Sequence, residues 1–312
     1  MGCFAQDLCG FAPTVESQLA LRSREISLGN FRIKIRLSQG FMVVTPLTPP
    51  VALTIAGSDS GGGAGIQADL RTFAFHQVHG TSAITCVTAQ NTLGVQRVDP
   101  LPPEAVMAQI AAVATDLGIR AAKTGMLLNR EIMQAVAAAV DTYGIHPLVV
   151  DPVMVSRTGA VLLDPEAITT LKEAMVPLAE ILTPNRREAE ILAAMEITTL
   201  EDMTEAARRI GRLGSRNVLV KGGGLPGDLQ GTDCWWDGSE IHILRQAPLL
   251  TPHTHGTGCT LAAAITARLA QGQSLAQGIE SAKQYVSQAI AHPLALGQGQ
   301  GPIGHFYPLL TA

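Results

Sequence analysis

Residues 51–70 read Val51-Ala52-Leu53-Thr54-Ile55-Ala56, then Gly57-Ser58-Asp59-Ser60-Gly61-Gly62-Gly63-Ala64-Gly65, then Ile66-Gln67-Ala68-Asp69-Leu70. A short apolar run meets a glycine-rich loop and passes into a helix-forming segment. The run at 51–56 does not alternate between apolar and polar residues, so it suits a strand covered on both faces, as in a parallel sheet. Runs of the same type recur at 83–87, 121–123, 148–150, 181–182 and 218–220. Between them, 105–115, 132–140 and 206–213 carry the i, i+3, i+4 apolar spacing of helices. This alternation predicts an α/β fold, with a mostly parallel central sheet and helices on both faces. Near the end, 232–236 and 240–244 flank Asp237-Gly238, an antiparallel hairpin signature at one sheet edge. Two helices, about 258–271 and 274–291, close the chain. No internal repeat or linker follows Pro50, so 51–312 reads as one domain.

Composition permits a sizeable core, with 46% hydrophobic and 15% charged residues. A net charge of -4 offers no electrostatic footprint for nucleic acid, and no apolar run reaches the ~18–20 residues of a membrane span. Five cysteines (Cys3, Cys9, Cys86, Cys234 and Cys259) show no CxxC pairing. They suggest a reducing, cytoplasmic setting rather than disulfides or zinc. Residues 1–50 read differently, with the basic run Arg32, Lys34, Arg36 and the prolines Pro46, Pro49 and Pro50. They lack the apolar core of a secretory signal. Gln6 stands where a myristoylation site needs Ser or Thr. Asp7, Glu16 and Glu25 dilute any transit-peptide character. The expectation is a dispensable extension without regular structure, with Met42 as the alternative first residue.

Ligands of such sheets bind beyond the carboxyl ends of the strands. Six polar, glycine-containing segments fall there: Gly57-Ser58-Asp59, Thr88-Ala89-Gln90-Asn91-Thr92, Thr124-Gly125-Met126, Asp151-Pro152-Val153-Met154, Thr183-Pro184-Asn185 and Lys221-Gly222-Gly223. A seventh, Thr254-His255-Gly256-Thr257-Gly258-Cys259-Thr260, runs straight into the apolar stretch Leu261-Ala262-Ala263-Ala264-Ile265. Amides at a helix start have no intrahelical partner and the macrodipole favours negative charge, so an anion belongs at this turn. Cys259 stands at that start, where a thiol is biased toward thiolate. A plain helix-starting turn would explain the same glycines.

The other motifs also carry two readings. The loop at 57–65 is neither a dinucleotide fingerprint nor a Walker A loop. It is either a flexible turn or a close backbone approach to a small polar ligand, with Asp69 facing that ligand or serving the dipole of its own helix. Asn185 and Glu188 are spaced as a capping box. Glu188 and Asp151 could equally converge on magnesium, which takes one or two carboxylates with waters and phosphate oxygens. Lys221 reads as a phosphate neutraliser or an ordinary strand-end lysine. His253 and His255 stay unassigned.

Taken in order over 51–307, these segments resemble the hydroxymethylpyrimidine/phosphomethylpyrimidine kinases, the thiamine-biosynthesis branch of the ribokinase superfamily. Lys123-Thr124-Gly125-Met126-Leu127 and the tail Gly301-Pro302-Ile303-Gly304-His305-Phe306 belong to the resemblance. It implies a three-layer αβα ribokinase-like fold, ATP and Mg2+ as cofactors, and phosphorylation of 4-amino-5-hydroxymethyl-2-methylpyrimidine and then of its monophosphate. Carried over by motif, Gly57, Asp69, Gln90, Met126 and Val153 would surround the pyrimidine, with Asp69 and Gln90 reading its ring and amino groups. Asp151 and Glu188 would serve the metal, and Asn185 and Lys221 the ATP phosphates. Gly256, Thr257, Gly258 and Cys259 would form the anion hole, with Cys259 as base for the substrate hydroxyl or acting only through its amide. Superfamily relatives are often dimers, which implies a homodimer. Two departures stand out: Gly224 where histidine is more usual, affecting the covering loop at 225–230, and Thr158 where serine is more usual. No fused second domain is expected. Rival readings are a pyridoxal kinase of the same cysteine-bearing branch and a non-catalytic pyrimidine sensor that has kept the fold.

Overall fold

The computed structural model describes residues 23–28, 31–38, 41–44, 47–154, 163, 165–223, 225 and 227–310. Two compact units result, Met1–Thr48 and Pro49–Ala312. In the first, β1 (Ser23–Leu28), β2 (Phe31–Ser38) and β3 (Phe41–Val44) form an antiparallel meander. Ser23 pairs with Arg36 and Ile35 with Val44. Regular structure was not expected there. The alternation of Arg32, Lys34 and Arg36 with Ile33, Ile35 and Leu37 is a period-two strand signal that the basic run had masked.

The second unit opens with β4 (Val51–Asp59), α1 (Gly65–Phe75), β5 (His79–Asn91), β6 (Gly94–Pro100) and α2 (Pro103–Ala114). It continues with β7 (Ala121–Thr124), α3 (Arg130–Tyr143), β8 (Leu148–Val150), α4 (Pro165–Thr170), β9 (Ile181–Leu182), α5 (Arg186–Ala193) and α6 (Leu200–Gly211). It closes with β10 (Val218–Val220), β11 (Thr232–Trp236), β12 (Ile241–Arg245), α7 (Thr257–Ala270) and α8 (Leu275–Ala291). One nine-stranded sheet runs in the order β12-β11-β10-β9-β8-β7-β4-β5-β6. The six strands from β10 to β5 are parallel, and an antiparallel strand or hairpin flanks each side.

The expected hairpin around Asp237-Gly238 is present, with Trp236 opposite Ile241. The segment 88–92, expected as a strand-end loop, is instead strand as far as Asn91. β5 extends past its neighbour β4 and folds back on β6, pairing Asn91 with Gly94. Thr88 and Gln90 are thus held by a β-ladder.

Side chains of the central strands alternate between two buried layers. Leu53, Ile55, Ala122, Leu148, Val150, Leu182, Val218 and Val220 pack with α2, α3, α5 and α6. Ala52 and Ala121 face α1 and α7, while Val149, Ile181 and Leu219 face α7 and α8. Helix α7 is buried from Thr260 through Ala267. Its alanines at 262, 263, 264, 267 and 270 let its backbone lie close to the sheet. The helix that begins at the anion turn is therefore wedged into the core, and its start is held in place.

Candidate active site

Among the described residues, α3, α5, α6 and α8 begin with a side-chain cap, from Asn129, Asn185, Thr199 and Ser274. α1 and α7 have none, and neither carries an acidic residue in its first turn. These two uncapped N-termini meet. A Cβ on Gly256 would stand 1.9 Å from the carbonyl oxygen of Gly63, and Gly256 has φ +87. Only glycine permits both that contact and that conformation. The Gly65 amide at the start of α1 bonds the Cys259 thiol at the start of α7. Gly256, Thr257, Gly258 and Cys259 thus form one turn facing the 57–65 loop, in which the Thr257 amide already donates to the Thr254 carbonyl at 3.3 Å.

Asp59, which sequence reasoning passed over, shapes that loop. Its carboxylate accepts from the amides of Gly61 (2.8 Å), Gly63 (3.1 Å) and Ala64 (2.8 Å). It also lies 3.0 Å from Nε2 of His255. Burial works against its charge, but His255 and the amides outweigh it and hold the carboxyl below its usual range. An ionised Asp59 fixes the His255 proton on Nε2. That nitrogen cannot then accept from Gln90 Nε2, which stands 3.4 Å away. Thr88 likewise has one proton for both the Ser58 carbonyl (3.0 Å) and Gln90 Oε1 (3.2 Å). Turning the Gln90 amide by half a revolution removes the Thr88 conflict and puts an oxygen, in place of a donor nitrogen, opposite His255 Nε2. Its NH2 then donates to Thr88, leaving one N–H for a ligand, while its oxygen shares at 3.4 Å the His255 proton that Asp59 takes at 3.0 Å. His255 so joins the turn at 254–260 to Asp59 and to Gln90 at the end of β5.

Gly57 and Met126 are brought together, since a Cβ on Gly57 would lie 3.0 Å from Met126 Cε and 2.8 Å from Cys86 Sγ. The Asp151 amide donates to Thr124 O at 3.0 Å, which joins the β7 and β8 ends. Val153, half-buried, follows Asp151 in a turn closed by its amide bond to Asp151 O at 2.9 Å.

At the carboxyl ends of β8, β9 and β10, Lys221 Nζ contacts Asp151 Oδ1 at 3.0 Å, and Asn185 and Lys221 pair as a parallel bridge. The capping box is real: the Asn185 amide donates to Glu188 Oε2 (2.8 Å) and the Glu188 amide to Asn185 Oδ1 (3.1 Å). Glu188 nevertheless also lies within reach of the charges of Lys221 and Asp151. It is 3% exposed. Burial lifts its carboxyl to about 7, opposed by Lys221 and aided by Asp151. Gly258 borders this group, because a Cβ there would lie 3.3 Å from Lys221 Nζ and 3.9 Å from Asp151 Oδ2.

Asp69 departs from expectation. α1 begins at Gly65, so Asp69 lies beyond the first turn and does not serve the dipole. It is fully buried, accepts from Thr54 Oγ1 at 2.7 Å, and takes Lys123 Nζ at 3.0 Å on both oxygens. Burial opposes the charge on Lys123, yet Asp69, with Cys259 and Asp151 adding to it, outweighs burial and keeps the ammonium protonated. Direct reading of a ligand by Asp69 is not what this arrangement favours. The Asp69–Lys123 pair was missed from the sequence, though a signal existed. Ile66, Asp69, Leu70 and Phe73 share one helical face, which points Asp69 into the core, where a carboxylate requires a partner.

Cys259 also departs from expectation. Burial pushes its thiol up to about 11. Lys123 and the Gly65 amide pull the value down, while Asp69 and Asp151 push it further up. Without substrate the thiol is protonated at neutral pH. Thr158 and Gly224 lie outside the described residues, as does part of the covering loop at 225–230. Among the described residues no helix is long and apolar enough to cross a membrane.

A mostly parallel sheet covered on both faces, with two helix N-termini meeting over its carboxyl edge, places the chain in the class of ribokinase-like kinases. A family model described as phosphomethylpyrimidine kinase matches residues 59–304. The hydroxymethylpyrimidine/phosphomethylpyrimidine kinase of Synechococcus elongatus is 62% identical over 260 residues, covering 83% of this chain and 98% of its own. A Bacillus subtilis pyridoxal kinase solved as an ADP complex matches with TM-score 0.78 at 38% identity, covering 85% of this chain and all of that one. The phosphomethylpyrimidine kinase of Clostridium difficile matches with TM-score 0.69 at 41% identity, covering 77% and 99%. The chain belongs to the phosphomethylpyrimidine kinase family.

The raised Glu188 carboxyl has a consequence for stability. Its value in the fold exceeds the ordinary 4.5, so the folded protein keeps a proton that the unfolded chain gives up between pH 4.5 and about 7. Stability is therefore lost as pH rises through that window. Glu188→Gln removes the ionisation and keeps the capping geometry. In magnesium-free buffer it should gain roughly 1–2 kcal/mol at pH 8 and much less at pH 5, read by denaturant titration. Equal effects at both pH values would overturn the assignment.

Proposed function

We propose that this chain transfers the γ-phosphoryl group of ATP to the hydroxyl of 4-amino-5-hydroxymethyl-2-methylpyrimidine, and then a second phosphoryl group to the monophosphate, in thiamine biosynthesis. The observation that carries this reading is the meeting of two uncapped helix N-termini beside Lys221, Asp151 and Glu188. Phosphoryl transfer needs positioning and charge stabilisation, and preorganised amides and ammonium groups supply both. The amides of Gly256, Gly258 and Cys259 hold the transferring group, with Thr257 completing the turn through its bond to the Thr254 carbonyl, while Lys221 and Asn185 stand on the ATP side. Cys259 as thiolate takes the hydroxyl proton as that oxygen bonds to phosphorus and the bond to the ADP oxygen breaks. Gly57, Met126, Val153 and the free N–H of Gln90 frame the pyrimidine, with Asp69 beneath them through Lys123.

The donor set suits magnesium. Among the described residues no cluster of three or more His, Cys, Asp or Glu could hold a metal by itself. Two carboxylates beside a phosphate site match an ion that keeps waters and phosphate oxygens. Asp151 and Glu188 would hold it, and it would neutralise phosphate charge there.

Purified protein should release ADP with both pyrimidines and little with pyridoxal. Turnover with pyridoxal alone would replace this reading with the one favoured by the likeness to the pyridoxal kinase structure. Binding of pyrimidine without any turnover would favour a sensor. The resemblance further supports a cytoplasmic homodimer, checked by light scattering.

The catalytic unit we assign to 51–312, in keeping with the two compact units and with the family match over 59–304. A chain starting at Pro49 should retain kcat within about twofold, because the site groups all lie beyond it. A loss of tenfold or more would refute the assignment.

A further inference from the structure

Asp233 and Lys283 form a buried ion pair to which the reaction as described gives no part. Asp233 lies on β11 and Lys283 on α8, and only 7% and 8% of their surfaces are exposed. Such a pair is costly to desolvate, and stability alone is a weak reason to keep one. It stands where β10 ends. The β10–β11 ladder closes with Val220 opposite Cys234, so the antiparallel register brings Gly222 opposite Thr232. The backbones press together there, for a Cβ on Gly222 would lie 1.8 Å from Thr232 O. In place of a further ladder bond, the Gly222 amide donates to Asp233 Oδ1 at 2.9 Å, and Lys283 Nζ donates to Asp233 Oδ2. One oxygen of Asp233 is thus committed to the backbone after β10 and the other to α8. The residue before Gly222 is Lys221, whose own amide donates to Pro184 O at 2.9 Å. Two consecutive amides therefore fix the strand end that carries this lysine, one from the β9 side and one from the β11 side.

We propose that Asp233, clamped by Lys283, is a positioning residue for Lys221: its bond to the Gly222 amide sets the strand end from which the Lys221 ammonium meets the nucleotide phosphates. The inference rests on the placement of Lys221 on the ATP side. Lys283 balances the Asp233 charge in a buried setting and leaves its second oxygen facing Gly222. Lys221 Nζ, 3.0 Å from Asp151 Oδ1 and beside Gly258, then needs both its side-chain partner and its backbone anchors to keep its place. A purely structural pair would alter folding stability and leave the contribution of Lys221 to nucleotide binding intact.

The test is calorimetric titration of the full chain with AMP-PCP and Mg2+, with the pyrimidine alcohol titrated in parallel. Two double variants remove the buried charges together and differ in the acceptor offered to Gly222. Asp233→Asn/Lys283→Met retains a side-chain oxygen there, whereas Asp233→Leu/Lys283→Met, of similar shape, has none. The second should bind AMP-PCP about tenfold more weakly, the size of one lost contact to a charged group, and the first should stay within about twofold of the unsubstituted chain. Affinity for the pyrimidine should be unchanged in both. Lys221→Met should weaken AMP-PCP at least as far, and adding Asp233→Leu/Lys283→Met to it should cost nothing more, because the residue through which Asp233 acts is gone. If the apolar double variant fails to fold, Asp233→Glu keeps the ion pair while displacing the carboxylate from Gly222, and it should weaken AMP-PCP several-fold. Undiminished affinity without the Gly222 acceptor, equal losses in the two double variants, or additive losses in the triple variant would overturn the proposal. Undiminished affinity in Lys221→Met would remove Lys221 from the ATP side, and the proposal with it. The readout needs no turnover. A failed kinase assay with the expected binding pattern would therefore count against the assigned activity alone.

Discussion

Cys259→Ala is expected to lower kcat on the pyrimidine alcohol by roughly 10²–10⁴-fold, the range set by loss of a positioned general base. KM should change little, because the amides of the turn remain and alanine fits a helix start that uses no side-chain cap. Cys259→Ser separates the two roles open to this residue. A serine hydroxyl is a far weaker acid than a thiol, so the variant should fall nearly as far as alanine if the thiolate is the base. Both variants would keep most of their turnover if only the amide mattered, and that result would remove Cys259 from the proton path. The resting thiol, pushed up to about 11, adds a further expectation. Turnover of the unsubstituted enzyme should rise with pH above neutrality until the base is ionised in the substrate complex, and Cys259→Ala should flatten that rise.

Gly256→Ala should be comparably damaging for a different reason. Residue 256 sits at φ +87, and a methyl group there would meet the Gly63 carbonyl oxygen at 1.9 Å. The left-handed conformation costs a non-glycine residue roughly 1–2 kcal/mol, and backbone on backbone leaves nothing flexible to yield. Moving the turn would misplace the donors around the transferring group, with kcat expected to fall about 10²–10³-fold, as for loss of an oxyanion-hole donor. Gly272→Ala is the control. It shares the strain, at φ +80, but its Cβ would have no neighbour within 4 Å. It should lose stability with little loss of kcat. Equal turnover in the two variants would show that the close approach of Gly256 to Gly63 is not needed.

Much of this could be read from residue order. The strands at 148–150, 181–182 and 218–220 announce themselves as uninterrupted apolar triplets or pairs between helical segments, and both faces of each proved buried. The hairpin at Asp237-Gly238 and the start of α8 at Ser274 follow from local turn and capping chemistry. Segments whose state depends on a distant partner were harder to read. Thr88 to Asn91 resembles a loop, yet pairing with 94–98 makes it strand. Asn185 and Glu188 supported two readings that spacing could not separate. The fold shows the capping box and also buries Glu188 near Asp151 and Lys221, a neighbourhood no local spacing reveals.

By itself, then, the sequence determined the layered α/β architecture, the glycine turn that opens α7 and the set of polar strand ends. These depend on periodicity, turn chemistry and helix-end electrostatics, which act over a few residues. Tertiary structure alone decided that Asp69 answers to Lys123 fifty-four positions away, that Asp59 and His255 tie the first loop to the last turn, and that Cys259 rests as a thiol. The physical reason is burial. The charge state of a group depends on which partners share its low-dielectric surroundings, and the fold brings those partners together from opposite ends of the chain.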